Sequence, residues 1–159
     1  MMESLNDAKE ELKRVDHLIY VSLKYTRTVD VLLNALNRMI AAYDFMFESM
    51  LQKALAEQKI DKIPTTPIER GNLIKKLYES DQQFIDNVEL FFLIRKLHKA
   101  TNPQREQEYR RHVTMKTIVD NREEIVDIDI ITNYYHFQME FFKRVESIAN
   151  ETQPEAQPE

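Results

Sequence analysis

A chain of 159 residues with 43% apolar and 31% charged residues has the balance of one globular domain, which excludes wholesale disorder. The absence of cysteine excludes disulfides, thiolate metal sites and cysteine nucleophiles, and suits a reducing compartment. A single glycine, Gly71, leaves no Gly-rich phosphate loop and biases the chain toward helices, while a net charge of −5 argues against indiscriminate adhesion to nucleic acid.

Met1-Met2-Glu3-Ser4 has no basic region followed by an apolar run, so no signal peptide is expected. From Leu5 the apolar positions run Leu5, Ala8, Leu12, Val15, Ile19, in helical steps of three and four, with Glu10, Lys13 and Lys24 off the stripe. A second stripe comes next in Val29, Leu32, Leu36, Met39, Tyr43, Met46, Met50 and Ala54. Leu33, Ile40, Phe47 and Leu51 widen its apolar face, which marks a central helix. One helix through both stripes would be about 80 Å long at 1.5 Å per residue, too long for a domain of this size, so a break belongs near Thr26 to Thr28, where no strong cap marks it. The most apolar stretch, residues 39 to 55, is interrupted by Asp44, Glu48 and Lys53. It reads as a buried helix rather than a membrane span, which needs about 20 uncharged residues.

Ile63 to Pro67 is a loop, and Thr66 with Pro67 and Glu69 forms a capping box that opens a third helix. Ser80 with Gln83 repeats the pattern before a fourth helix carrying Phe84, Val88, Phe91, Phe92 and Ile94 or Leu97. Asn102-Pro103 opens a further helical segment, Gln104 to about Arg111. Residues 112 to 129 differ: Val113 to Val119 is rich in β-branched side chains, Asp120 to Glu123 is a turn signal, and Ile125 to Ile128 is a second apolar run. They read as a small β-hairpin, with a continuous helix as the alternative. A final helix spans about Asp129 to Ala149 with Ile131, Tyr134, Tyr135, Phe141, Phe142, Val145 and Ile148 inward, and 151–159 (ETQPEAQPE) is expected to be a disordered polar tail. The fold class is therefore mainly α: an up-and-down bundle of about five helices over residues 1–150, with a small hairpin before the last helix.

Di-iron carboxylate chemistry in a bundle needs Glu-x-x-His pairs. Arg14, Arg95, Tyr109 and Asn133 stand three before the four histidines, so no metal site and no cofactor are expected. His136 and Glu140, at i and i+4, read as a solvated pair on a helix face. Charge is more informative. Residues 95 to 116 hold Arg95, Lys96, Lys99, Arg105, Arg110, Arg111 and Lys116 against only Glu106 and Glu108, in an otherwise acidic chain. Such a segment can hold a phosphate backbone locally, and the bland alternative is that it pairs with the chain's own acids. Within it, Arg105 and His112 are seven apart and would project from one side of a helix. An imidazole beside a guanidinium suits metal-free RNA cleavage: His112 exchanging a proton, Arg105 stabilising phosphorane charge.

The run Ala41-Ala42-Tyr43-Asp44-Phe45-Met46-Phe47-Glu48-Ser49-Met50-Leu51 on the central helix resembles the signature of small prokaryotic HEPN-superfamily proteins. Arg105-x6-His112 resembles their Arg-x(4–6)-His motif, and a closing helix with Tyr134-Tyr135, Phe141-Phe142 and Val145 is in keeping; together these cover about residues 28 to 148. The resemblance implies a cytoplasmic helical domain that often dimerises, with Arg105 and His112 facing a shared cleft. It also implies RNA as a partner, since many members are RNA-cleaving toxins of toxin–antitoxin systems or RNA-binding partners of nucleotidyltransferases, and others have lost catalysis. Arg95, Lys96, Lys99, Arg110, Arg111 and Lys116 would then contact nucleic acid. Glu106 follows the motif arginine where a polar residue such as asparagine is common, and an acid there opposes an anion. The expected function is therefore an RNA-associated, non-catalytic or weakly catalytic module. The alternative is a non-catalytic interaction or scaffold domain that pairs with a second copy through its abundant Phe, Tyr and Met.

Overall fold

The computed structural model describes residues 1–100 and 102–151. The first helix, α1 (Met2–His17), buries Leu5, Ala8, Leu12 and Val15 and passes into a π turn (Leu18–Ser22) and a last helical turn (Leu23–Tyr25). The π turn has a sequence cause. Val15, Ile19 and Leu23 succeed one another in steps of four, and in a 3.6-residue helix each such step overshoots the stripe by roughly 40°. A wider i→i+5 turn takes up that drift, so Ile19 and Leu23 stay buried. The helix ends at the break anticipated near residue 26. Thr28 does cap the next helix, its Oγ1 accepting from Val31 N at 3.3 Å.

The central helix, α2 (Val29–Ala56), buries every residue of its stripe together with Phe47 and Leu51. It packs against α1, α3 (Pro67–Leu77), α4 (Gln82–Lys99) and the closing helix, α5 (Ile128–Glu151). Its Tyr43 and Phe47 meet Phe91 of α4 edge to face at 5.8 and 5.1 Å between ring centres, and Phe84 meets Phe141 of α5 likewise at 4.9 Å. Fully burying one such ring contributes about 2–3 kcal/mol, and the edge-on geometry adds to that. The Tyr43 hydroxyl donates to Asn87 Oδ1 at 2.6 Å, and burial holds that phenol well above its ordinary pKa.

Thr66 caps α3, accepting from Glu69 N at 3.2 Å; the Glu69 carboxylate accepts from the Thr66 hydroxyl at 2.9 Å rather than from the Thr66 backbone N–H, so only half of the expected capping box forms. Gly71 serves packing rather than turning: a Cβ there would lie 2.8 Å from the Phe92 ring, so glycine lets α3 approach α4. The cap of α4 differs from expectation. Asp81, not Ser80, fills it, because its carboxylate reaches Phe84 N (3.4 Å) while also binding Arg144 of α5 at 2.5 Å.

The expected helix over Gln104 to Arg111 does not form. Gln104–Glu106 is instead a strand, β1, pairing antiparallel with β2 (Thr114–Val119), which pairs in turn with β3 (Arg122–Asp127). An eight-residue helix is marginal on its own, whereas the hairpin offers β1 a ready edge. The hairpin itself forms where anticipated, Met115, Val119 and Val126 facing the core, with Asp120 and Asn121 both left-handed (φ 52° and 65°) at its tip. Asp and Asn tolerate that conformation, so a two-residue turn needs no glycine here. α5 comes directly after β3, Asp127 Oδ1 accepting from Ile130 N at 2.8 Å. Most of the expected disordered tail, residues 152–159, lies outside the described residues. No helix among the described residues is long and apolar enough to cross a membrane.

The Arg144 hydrogen bond, ahead of other effects, lowers the pKa of Asp81 below its ordinary 3.8. A depressed carboxyl stabilises the fold above that ordinary value and loses its contribution as pH falls through the native one. Urea denaturation of Asp81→Asn should therefore show lower stability near neutral pH and a shallower loss between pH 5 and pH 2 than the parent; parallel pH profiles would contradict this coupling.

Candidate functional site

The segment joining β1 to β2 is moored to the head of α2. Glu108 Oε2 accepts from Val29 N at 2.9 Å, adding a second acceptor to the helix end that Thr28 caps. Tyr109 N donates to Arg27 O at 2.6 Å. Arg105 bridges Asp30 at 3.0 Å and Glu108 at 3.5 Å, and the Asp30 hydrogen bond raises the guanidinium pKa further. These contacts hold Gln107 and Tyr109 left-handed (φ 57° and 68°), at a cost of order 1 kcal/mol or more for each.

This mooring changes the reading of the motif pair. Arg105 lies on a strand and His112 in a turn, so the helical spacing that would put them on one side does not apply. The Arg105 guanidinium is engaged at α2, and the cleft lined by His112 does not include it. Of the other basic residues, Lys96 pairs with Asp120 at 2.6 Å and Lys116 with Glu106 at 3.3 Å. Arg95 sits 5.5 Å over the Phe91 ring and faces Asp44, whose pKa burial raises and Arg95 partly restores. Lys99, Arg110 and Arg111 make no ion pair among the described residues. Lys99 and Lys116 share a groove of about 530 Å³ beside the sheet with Ile118 and Glu123, away from His112.

His112 and Arg111 instead line a cleft of about 240 Å³ with Ile19, Leu23, Lys24, Arg27, Asp127, Ile128 and Asp129. Four basic side chains thus gather where the π turn, the moored segment and the start of α5 meet. π turns inside α-helices are frequent at functional sites. Arg27 Nε donates to Leu23 O at 3.0 Å, which steadies its guanidinium. Tyr25 and Tyr109, next in sequence to Lys24 and Arg110, are 83% and 77% exposed. Sequence reasoning missed Lys24 and Arg27. They stand at a helix end, where basic residues normally complement the helix dipole, and only their position next to an unrelated basic turn sets them apart.

His136 does not stand with Glu140: its Nε2 lies 2.9 Å from the Tyr20 hydroxyl, and Glu140 pairs with Lys143 at 3.2 Å. No group of three or more His, Asp or Glu side chains among the described residues is placed to hold a metal ion. The chain matches no family model, no curated protein and no solved structure.

Replacing Glu108 with Ala removes an acceptor from the head of α2 and should cost about 1 kcal/mol, the usual scale for a lost helix cap. Glu108→Gln keeps an acceptor and should cost less. Chemical denaturation checks both, and identical losses in the two variants would show that charge, not capping, is what matters there.

Proposed function

We propose that this chain is a HEPN-like, RNA-associated helical module of the cytoplasm, non-catalytic or weakly catalytic, that holds single-stranded RNA at the cleft beside its π turn. The observation that carries this reading is the convergence of Lys24, Arg27, Arg111 and His112 on one cleft, with exposed Tyr25 next in sequence to Lys24 and exposed Tyr109 bonded through its backbone to Arg27. Cations that track a phosphate backbone, combined with aromatic faces on which bases stack, are what sequence-tolerant single-strand binding uses. Arg110 extends this surface along the same turn. Weak or absent catalysis is supported by the position of Arg105: its guanidinium pairs with Asp30 and Glu108 and does not line the cleft that holds His112.

Fluorescence anisotropy with a labelled single-stranded RNA tests this. One to three phosphates neutralised, at about −0.7 each, give an affinity loss of roughly 3- to 20-fold between 50 and 200 mM salt. Lys24→Ala combined with Arg111→Ala should weaken binding by about tenfold or more at low salt. Unchanged affinity in that double variant would sink the assignment of this surface. In metal-free cleavage assays His112→Ala should match the parent, and rapid cleavage lost in the variant would refute the non-catalytic part.

A second reading, a scaffold that pairs with another copy of itself, rests on the outer face of the sheet. Ile118 and Ile125 are 62% and 39% exposed there, and Lys116 opposite Ile125 makes them diagonal neighbours. Light scattering decides it: a dimer converted to monomer by Ile118→Lys supports pairing, and a strict monomer in the parent rejects it.

A further inference from the structure

The cleft beside the π turn is not uniformly basic, and its acids narrow what can enter it. Asp127 and Asp129, from the junction of β3 and α5, line it together with the four basic side chains. Asp127 commits Oδ1 to the head of α5 at 2.8 Å, while the exposed Asp129 has no partner among the described residues. Phosphates on both sides of an internal nucleotide would bring one of them toward these carboxylates, and like charges at short range repel. A group that carries one phosphate and also donates hydrogen bonds meets complementary chemistry instead. At about 240 Å³ the cleft falls below the roughly 300–1,000 Å³ usual for whole small molecules, so it suits a sugar and phosphate rather than stacked bases. The base would remain outside, where Tyr25 and Tyr109 present exposed rings.

An internal ribonucleotide has two flanking phosphates and one free hydroxyl, whereas a terminal one has a single phosphate and a 2′,3′-cis-diol. We infer that the cleft takes a ribonucleotide unit with one phosphate and a free cis-diol, the phosphate held by Lys24, Arg27 and Arg111 and the diol donating to Asp127 and Asp129. Within the RNA reading, on which this rests, that unit is the 3′ end of a strand; a free nucleoside 5′-monophosphate has the same chemistry.

The test compares two short 5′-labelled RNAs of equal charge, one ending in a 2′,3′-diol and the other in a 2′,3′-dideoxy nucleotide. The diol strand should bind the full chain about tenfold or more tightly, the scale of hydrogen bonds to charged groups, and Asp129→Asn should erase the difference. Unlabelled AMP separates the sources. Displacement near the RNA's own Kd assigns the site to mononucleotides, and displacement only at far higher concentration assigns it to strand ends. Equal affinity of the two strands for the parent chain overturns the inference and leaves the RNA reading standing. Asp129-dependent binding of AMP without any RNA binding overturns the RNA reading and keeps the cleft's ligand. Binding of neither overturns both.

Discussion

An apolar face as wide as that of α2, which leaves only a polar stripe through Asp30, Asn34, Asn37, Asp44 and Glu48, has to be covered along its length, and α2 imposes that demand on the helices around it. Its twenty-eight residues bury a stripe from Val29 to Ala54 plus Phe47 and Leu51, so α1, α3, α4 and α5 are arranged by what they must cover. The enclosure works because facing positions supply shape as well as apolarity: rings from α2, α4 and α5 meet edge to face, and Asn87 receives the one buried hydroxyl among them. Enclosing the sides leaves the ends. The first amides of α2 lie at a buried end, where Thr28 and Val29 are 8% and 0% exposed, and an unmet amide there is costly.

That requirement ties the fold to the candidate site. Thr28 meets one amide and Glu108 another, and Glu108 can do so only if the segment after β1 folds back over the helix head. Arg105 then lies between Asp30 and Glu108 and reinforces the mooring. Two left-handed residues mark the cost of that path. Its consequence is that Arg111 and His112 come to rest beside Lys24 and Arg27, more than eighty positions earlier in the chain. The site is thus a by-product of capping: satisfying a buried helix end positions the basic turn.

Mutual neutralisation decides which charges matter. The basic segment looks continuous between residues 95 and 116, yet Lys96, Arg105 and Lys116 each have an acidic partner, and Arg95 lies over an aromatic ring facing Asp44. Charge density along a sequence measures what is available before folding, whereas binding uses what folding leaves unpaired. Asp127 and Asp129 obey the same logic in reverse. They look like ordinary residues at a helix start, but in the fold they line the same cleft as Lys24, Arg27 and Arg111.

By itself the sequence determined α1 to α5, the break before α2, the Thr66 cap and the hairpin. Each rests on signals a few residues apart: the apolar period, a cap, a run of β-branched side chains, an Asp-Asn turn. Where the local signal was ambiguous it misled. Gln104 to Arg111 has helix-forming residues, but β2 offers β1 a sheet edge and Val29 offers Glu108 an amide, and neither is visible in that segment alone. The expectation that Arg105 and His112 project from one side of a helix failed for the same reason, since tertiary contacts replace that helix. Only the folded chain could assign each charge a partner and bring Arg27 to Arg111, because Coulomb and hydrogen-bond energies depend on separation in space, and spacing along the chain predicts that separation only within a single regular element.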